Sequence, residues 1–497
     1  MRFDPGSQRI VVTSNAGLQV VDLSDPAAPV LVTTIDFTDL GFATTDITSV
    51  AVKNGVVAVA LPNADKALPG QVVLLNAADG ALLSSVTVGA LPDSLTFTPD
   101  GSRILVANEG ELNEDGTDGD GSVSIIDLSA GAANATVTTA TFDAFDGQED
   151  ALRAAGVRIF EGRSVSQDVE PEYVAISADG LTAMVTLQEA NAVALLDIAT
   201  ATFTGIVPLG LKDFSNLLAD YSDRDGPGND PLAGNLVNAP VFGLYMPDAI
   251  DSYESGGQSF YVIANEGDDR DDFIDGGETI RVGNDDYELD ATVFPDAETL
   301  KDNDNLGRLT VSNAPGLRGD TDGDGDIDQI LMYGGRSFSI LDAEGNIVFD
   351  SGDAIERIVL EQFPELVDDS RSDNKGPEPE GIEIAQIGGS TYAFVALERS
   401  NLTLSFDVTN PEAVTYVGAA QMDGAVSPEG VLVIPAEDSP TGKALLVVSN
   451  EVSSTLSVFT TTQTPAFTLQ LLHFADAEAG LLAGSTAKNL ADRKSVV

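Results

Sequence analysis

The residues of this chain best suited to chemistry are carboxylates, and one run of them has the spacing of a metal loop. Asp320-Thr321-Asp322-Gly323-Asp324-Gly325-Asp326-Ile327-Asp328 alternates Asp with small residues, puts Gly at the turn and follows it with Ile. Side chains at alternate positions of such a loop can wrap their oxygens around one hard cation, as in the first part of an EF-hand loop. The Glu that closes an EF-hand is replaced by Leu331, and no helical pattern flanks the run. The spacing therefore predicts a DxDxDG-type Ca²⁺ loop with Asp320, Asp322, Asp324, Asp326 and Asp328 as ligands. Two more acidic stretches, 109–120 and 266–275, are candidates of the same kind, set against the solvated face that a charge run usually is.

A second set of carboxylates recurs along the chain. Pro92-Asp93, Pro171-Glu172, Pro247-Asp248, Pro379-Glu380 and Pro428-Glu429 each precede an apolar run, and Glu109, Glu189, Glu266, Glu398 and Glu451 each close the β-rich run that follows. A third pattern ends in two apolar residues, usually Asp or Asn, and a turn; it occurs at 18–26, 71–80, 122–131, 192–201, 337–346, 402–411 and 454–463. Alternation and β-branched content make these segments strands. Short antiparallel strands repeating at roughly 50 residues are the signature of propeller blades. With 1–37 and 46–82 as degenerate copies, the expected fold is all-β: a seven-bladed β-propeller of four-stranded antiparallel blades over residues 1–463. The long spacings near 131–170, 205–246 and 267–336 read as loop and helix insertions, the first with an amphipathic helix over 147–157.

In such a blade the start of the first strand and the end of the second share one face, because the two are antiparallel. The first strand lies innermost. Asp93, Glu109, Glu172, Glu189, Asp248, Glu266, Glu380, Glu398, Glu429 and Glu451 are therefore expected around one channel mouth. Carboxylates so gathered raise one another's pKa and call for cations. Arg163 and Arg371 stand seven residues before Glu170 and Glu378, which open two copies of Glu-Pro-Glu. With Lys375, and with Arg336 and Arg399 nearby in sequence, they supply part of the countercharge, and the remainder invites Ca²⁺ or a cationic ligand. The competing explanation is a strand-entry turn at Pro-acidic and an edge cap at the later Glu; recurrence in five blades favours the ring.

Composition removes several classes of function. Eighty acidic against 24 basic residues leave a net charge of −56, which repels nucleic acid and anionic membranes. It suits divalent cations and a salt-adapted or marine bacterial source. With no Cys and one His, His473, thiolate nucleophiles, disulfides, Cys/His zinc sites and most His-based acid–base chemistry drop out. No run approaches the roughly 18 apolar residues that span a bilayer. The strand-like Arg9-Ile10-Val11-Val12 follows Met1 with no signal peptide, so the chain is expected to start inside a longer gene product. Residues 492–497, Asp-Arg-Lys-Ser-Val-Val, read as a translated sequencing adapter.

The motifs LVANEGE, GSVSIIDLS, VEPEYVAIS, VIANEGDDRDD, GDTDGDGDIDQI, GGRSFSI and SRSDNKGPEPEGIEI make the chain resemble the choice-of-anchor I family over about residues 1–460. That family is one of exported bacterial propellers, similar also to a mesenchyme-specific cell surface glycoprotein of animals. The resemblance implies an extracellular, cell-surface or periplasmic location. The Glu378–Gly381 stretch is similar to propellers with esterase-like activity of phytase. Residues 467–491 resemble the opening of a metallophosphoesterase domain of the 5′-nucleotidase type, with His473 in place and Asp476 where the first metal-ligand Asp would stand; Glu478 replaces the expected second His. The divalent metals of such a domain would need ligands from later loops.

The expectation is thus a monomeric, extracellular, calcium-binding propeller module without catalysis of its own, carrying a downstream phosphatase or nucleotidase domain of the same polypeptide. The alternatives are a calcium-dependent phosphoesterase working at the acidic mouth, and a surface adhesion module.

Overall fold

The computed structural model describes residues 1–43, 46–113, 116–226, 234–270, 277–464 and 466–476, with the backbone course alone for 462–476. Runs such as Ile104, Leu105, Val106 and Ala107 are wholly buried on both faces, which is why they read as continuous apolar stretches as well as alternating ones. Each pairs antiparallel with its neighbours in sequence. Among the described residues seven four-stranded sheets result, beginning at Arg2–Asp4, Val50–Lys53, Pro92–Phe97, Pro171–Ile176, Ile250–Ser255, Pro379–Ile387 and Pro428–Ile434. In every one the strands follow in chain order from the inside outward.

The first strands of consecutive sheets lie against one another, so they line a common axis. Apolar clusters fill the gaps between sheets. Leu18 and Val20 meet Val59 and Leu61 between the first and second sheets, and Phe394 meets Leu446 and Val448 between the sixth and seventh. Ile10 and Val21 meet Leu445 and Val447, which joins the seventh sheet back to the first and closes the ring. The fold is a β-propeller, as the repeats predict, and each sheet is a blade.

Two of the insertions combine. Leu211–Asp213, Val241–Leu244, Ile330–Met332, Thr310–Ser312 and Thr279–Arg281 form one five-stranded sheet in that order, with its middle strands Val241–Leu244 and Ile330–Met332 parallel. Phe214, Tyr221, Tyr287 and Met332 give it a core of its own. Strands of three or four residues are too short to show a period, so sequence reading finds only loops there. The helix Glu149–Ala155 falls inside the predicted 147–157.

Ala466–Asp476 pairs antiparallel with Thr455–Thr464 as the fourth strand of blade 7, with His473 opposite Val458. Asp476 ends that strand. Its side chain, and residues 477–497 with the rest of the phosphoesterase-like and adapter-like stretches, lie outside the described residues. No helix among the described residues is long and apolar enough to cross a membrane.

Candidate functional site

The Pro-acidic entries are built by the backbone. Proline lacks an N–H and so fits only the first position of an inner strand or a bulge. Pro92, Pro171, Pro379 and Pro428 stand opposite Asn108, Leu187, Leu397 and Asn450, and the register shifts within the next few residues. The residue before each of the five prolines is left-handed: Leu91, Glu170, Met246, Glu378 and Ser427 have φ of 41°, 35°, 46°, 51° and 57°. Non-glycine residues adopt that conformation at a cost, so five recurrences mark a required geometry. The carbonyl of the left-handed residue accepts an N–H from the end of the second strand: Glu109 to Leu91 (2.9 Å), Glu398 to Glu378 (3.0 Å) and Glu451 to Ser427 (2.8 Å). In blade 5 the donor is Gly267, to Met246 at 3.1 Å. In these four blades the two acidic positions are thereby held side by side.

The asparagine before three of these Glu residues is structural. Asn108, Asn265 and Asn450 are buried, and Nδ2 of each donates to two hydroxyls of the third strand: Ser122 and Ser124, Ser337 and Ser339, Thr455 and Ser457. Gly381 is required by close approach, since a Cβ there would stand 1.8 Å from the Glu429 carbonyl oxygen of the next blade.

The predicted carboxylates meet at the mouth, in two halves. In one, Asp93, Glu109, Glu172, Asp248, Glu380 and Glu429 have no ion pair among the described residues. Burial, then Glu429 and Glu111, push Asp93 up to about 7. Burial and the carboxylates of Glu266, Asp248, Glu429 and Glu398 push Glu380 up to about 11, and one Glu380 oxygen lacks a hydrogen-bond partner among the described residues. Glu109, Glu172 and Asp248 rise well above the usual range for the same reasons, and Asp248 shares a hydrogen bond with Glu172. Asp93 of blade 3 and Glu429 of blade 7 both act on Asp248 of blade 5, so the convergence crosses the ring. Glu429 and Glu451 are exposed to solvent, which softens the effect on Glu429.

The other half carries its own cations. Glu378, fully buried, accepts from Arg371 (2.7 Å) and Arg399 (2.9 Å), and Arg399 also reaches Glu398 at 2.9 Å. Lys375 pairs with Asp268 (2.9 Å) and Glu266 (3.5 Å). Arg270 spans Asp168 (2.9 Å) and Glu170 (3.1 Å). It also moderates Glu189, which burial nevertheless pushes up to about 7. The two Glu-Pro-Glu copies differ here: Arg371 holds Glu378, whereas Arg163 pairs with Asp118 and Asp168 instead of Glu170. Arg336 is not at the mouth; it is buried against Glu356 and the carbonyls of Asp220, Ser372 and Asn374. Arg270 was missed because its partners lie about a hundred residues away in sequence, in another blade's approach.

The 320–328 loop folds on itself. Asp320 accepts from the N–H groups of Gly323 (2.7 Å) and Gly325 (3.1 Å), and Asp328 from the N–H and hydroxyl of Thr321, both at 2.7 Å. Asp320, Asp322 and Asp328 bring oxygens within 4.8 Å of one another; Asp326 and Asp328 do the same with Asp290. Asp324 joins neither group among the described residues. Asp290 is delivered by a parallel bridge between Leu289 and Ile327, which no local spacing reveals. The candidate stretches 109–120 and 266–275 include residues 114–115 and 271–275, which lie outside the described residues.

The model of the choice-of-anchor I domain matches residues 1–411. The chain belongs to the choice-of-anchor I family. Gigasin-3a of Magallana gigas is 32% identical over 186 residues, 31% of this choice-of-anchor I chain and 64% of that protein. A mesenchyme-specific cell surface glycoprotein of Strongylocentrotus purpuratus is 24% identical over 259 residues, 44% of this chain and 32% of its own length. The chain thus spans less than two thirds of the curated relatives it matches. Among solved structures, the Cps50 (Swd1) β-propeller domain of Myceliophteria thermophila aligns over 90% of this chain and 91% of that one, at 9% identity and a TM-score of 0.43.

Proposed function

We propose that this choice-of-anchor I propeller is an extracellular or cell-surface module that binds Ca²⁺ at its channel mouth and in the 320–328 loop and performs no catalysis itself. The observation that carries the reading is the set of six carboxylates, Asp93, Glu109, Glu172, Asp248, Glu380 and Glu429, that converge without a basic partner among the described residues. An all-oxygen, strongly anionic recess suits a hard cation that takes many oxygen ligands. Phosphate-ester chemistry would need cationic side chains free to receive the phosphate. Arg371, Arg399, Lys375, Arg270 and Arg163 are all engaged by carboxylates, which favours binding over turnover. The family and the sea-urchin relative's name support the surface location. A following phosphatase-type domain rests on the resemblance of 467–491; since Ala466–Asp476 docks on blade 7, such a domain would be coupled directly to the propeller.

Calcium titration by calorimetry, with a parallel assay on phosphate monoesters, tests this. The expected result is Ca²⁺ binding that weakens in Glu172→Gln/Glu380→Gln, with no turnover in either protein. Calcium-dependent turnover abolished by Glu380→Gln would overturn the non-catalytic reading.

A further inference from the structure

A third acidic group lies away from both sites. Asp220 and Asp225, in the insertion after blade 4, and Asp369, in the approach to blade 6, bring carboxylate oxygens within 4.8 Å of one another. Asp369 is 1% exposed and Asp220 5%. Their hydrogen bonds leave capacity over. Asp220 accepts from the N–H groups of Asn235 (2.8 Å) and Ser222 (3.4 Å), Asp225 from Asn235 Nδ2 at 3.1 Å, and Asp369 from the Ser372 hydroxyl at 3.3 Å. Oδ1 of Asp225 and Oδ2 of Asp369 have no partner, and none of the three carboxylates has an ion pair among the described residues. Arg336, whose Nη1 donates to the Asp220 carbonyl, directs its two Nη groups to Glu356 (3.0 Å) and to main-chain carbonyls rather than to the three carboxylates. Asp369 and Asp220 share a hydrogen bond, and gathering three carboxylates in a largely buried place is costly without a countercharge. Asp220 also lines a cavity with Glu356, Val359, Leu360, Val367 and Ser372, which leaves room for water on its side of the cluster.

We propose that Asp220, Asp225 and Asp369 form a divalent-cation site that staples the insertion to the segment leading into blade 6. Three carboxylate ligands and no nitrogen or sulfur select a hard ion, Ca²⁺ or Mg²⁺. The site is independent of the channel mouth and of the 320–328 loop, and shares no residue with either.

Tyrosine-sensitised Tb³⁺ luminescence on the full chain tests it, because the chain has no Trp and Tyr221 adjoins Asp220 in sequence. The expected result is a luminescence component, displaced by Ca²⁺, that Tyr221→Phe removes and Tyr287→Phe and Asp322→Asn leave in place. Asp225→Asn and Asp369→Asn should each weaken it roughly tenfold or more. A component unmoved by Asp225→Asn and Asp369→Asn overturns the site, as does the absence of any component that depends on Tyr221. If Asp369→Asn fails to fold, Asp225→Asn decides alone, since Asp225 is only partly buried.

Discussion

The channel mouth and the 320–328 loop hold the same kind of side chain in opposite surroundings. In the loop, Asp328 is held below the ordinary carboxylate range by the Thr321 hydroxyl and N–H and Asp320 accepts two main-chain N–H groups, although burial and the neighbouring Asp324 push Asp326 up to about 6. At the mouth, burial and neighbouring carboxylates push Glu380 up to about 11. A loop that satisfies four of its five carboxylates from its own main chain can exist with or without a cation. A recess that gathers charges from five blades is in tension until something neutralises it, a proton or a metal. Equal acidity in sequence thus hides two different couplings to stability.

The largest expected effect breaks that symmetry with pH. Asp93, Glu189 and Glu266 move from ordinary values of 3.8 and 4.5 up to about 7. Folded-state values above unfolded ones mean that the native state binds more protons, so stability is highest in acid and is lost as pH rises from about 4 through 7. In chelator, denaturant melts should show a fall on the order of several kcal/mol between pH 5 and 8, allowing for the water that reaches the channel. Saturating Ca²⁺ should flatten the profile. A flat profile in chelator would remove the contrast with the loop.

Next in size is the self-neutralised half of the mouth. Glu378→Gln leaves Arg371 and Arg399 without their shared carboxylate, and should cost about 2–3 kcal/mol, less than a fully buried pair because both arginines are partly exposed. Glu380→Gln should leave stability in chelator near pH 7 within about 0.5 kcal/mol, because a carboxyl pushed up to about 11 already carries its proton there, while weakening Ca²⁺ binding. Smallest is Asp322→Asn in the exposed loop, expected to leave the denaturation midpoint in chelator unchanged yet to reduce the number of Ca²⁺ bound in equilibrium dialysis.

The ring of blades was legible because strand, turn and acidic residue repeat together, and period-2 runs survive as local signals. The ten mouth positions followed from that repeat and from the antiparallel pairing of first and second strands. What stayed hidden was non-local. Arg270 reaches Asp168 across about a hundred residues, Asp290 enters the loop site through a single bridge, and the five-stranded sheet is assembled from fragments of three and four residues. The left-handed residue before each proline was also invisible, since Leu, Glu, Met and Ser share no type that favours such a backbone.

The acidic positions are placed by proline, by a left-handed main-chain turn and by an N–H to carbonyl bond, and none of these involves the carboxylate. The frame is therefore indifferent to what each position displays. Blades that present Asp or Glu today are sockets into which Ser, Lys or His could be fitted without refolding the strand, so relatives built on this frame can diverge in ligand while keeping the same scaffold.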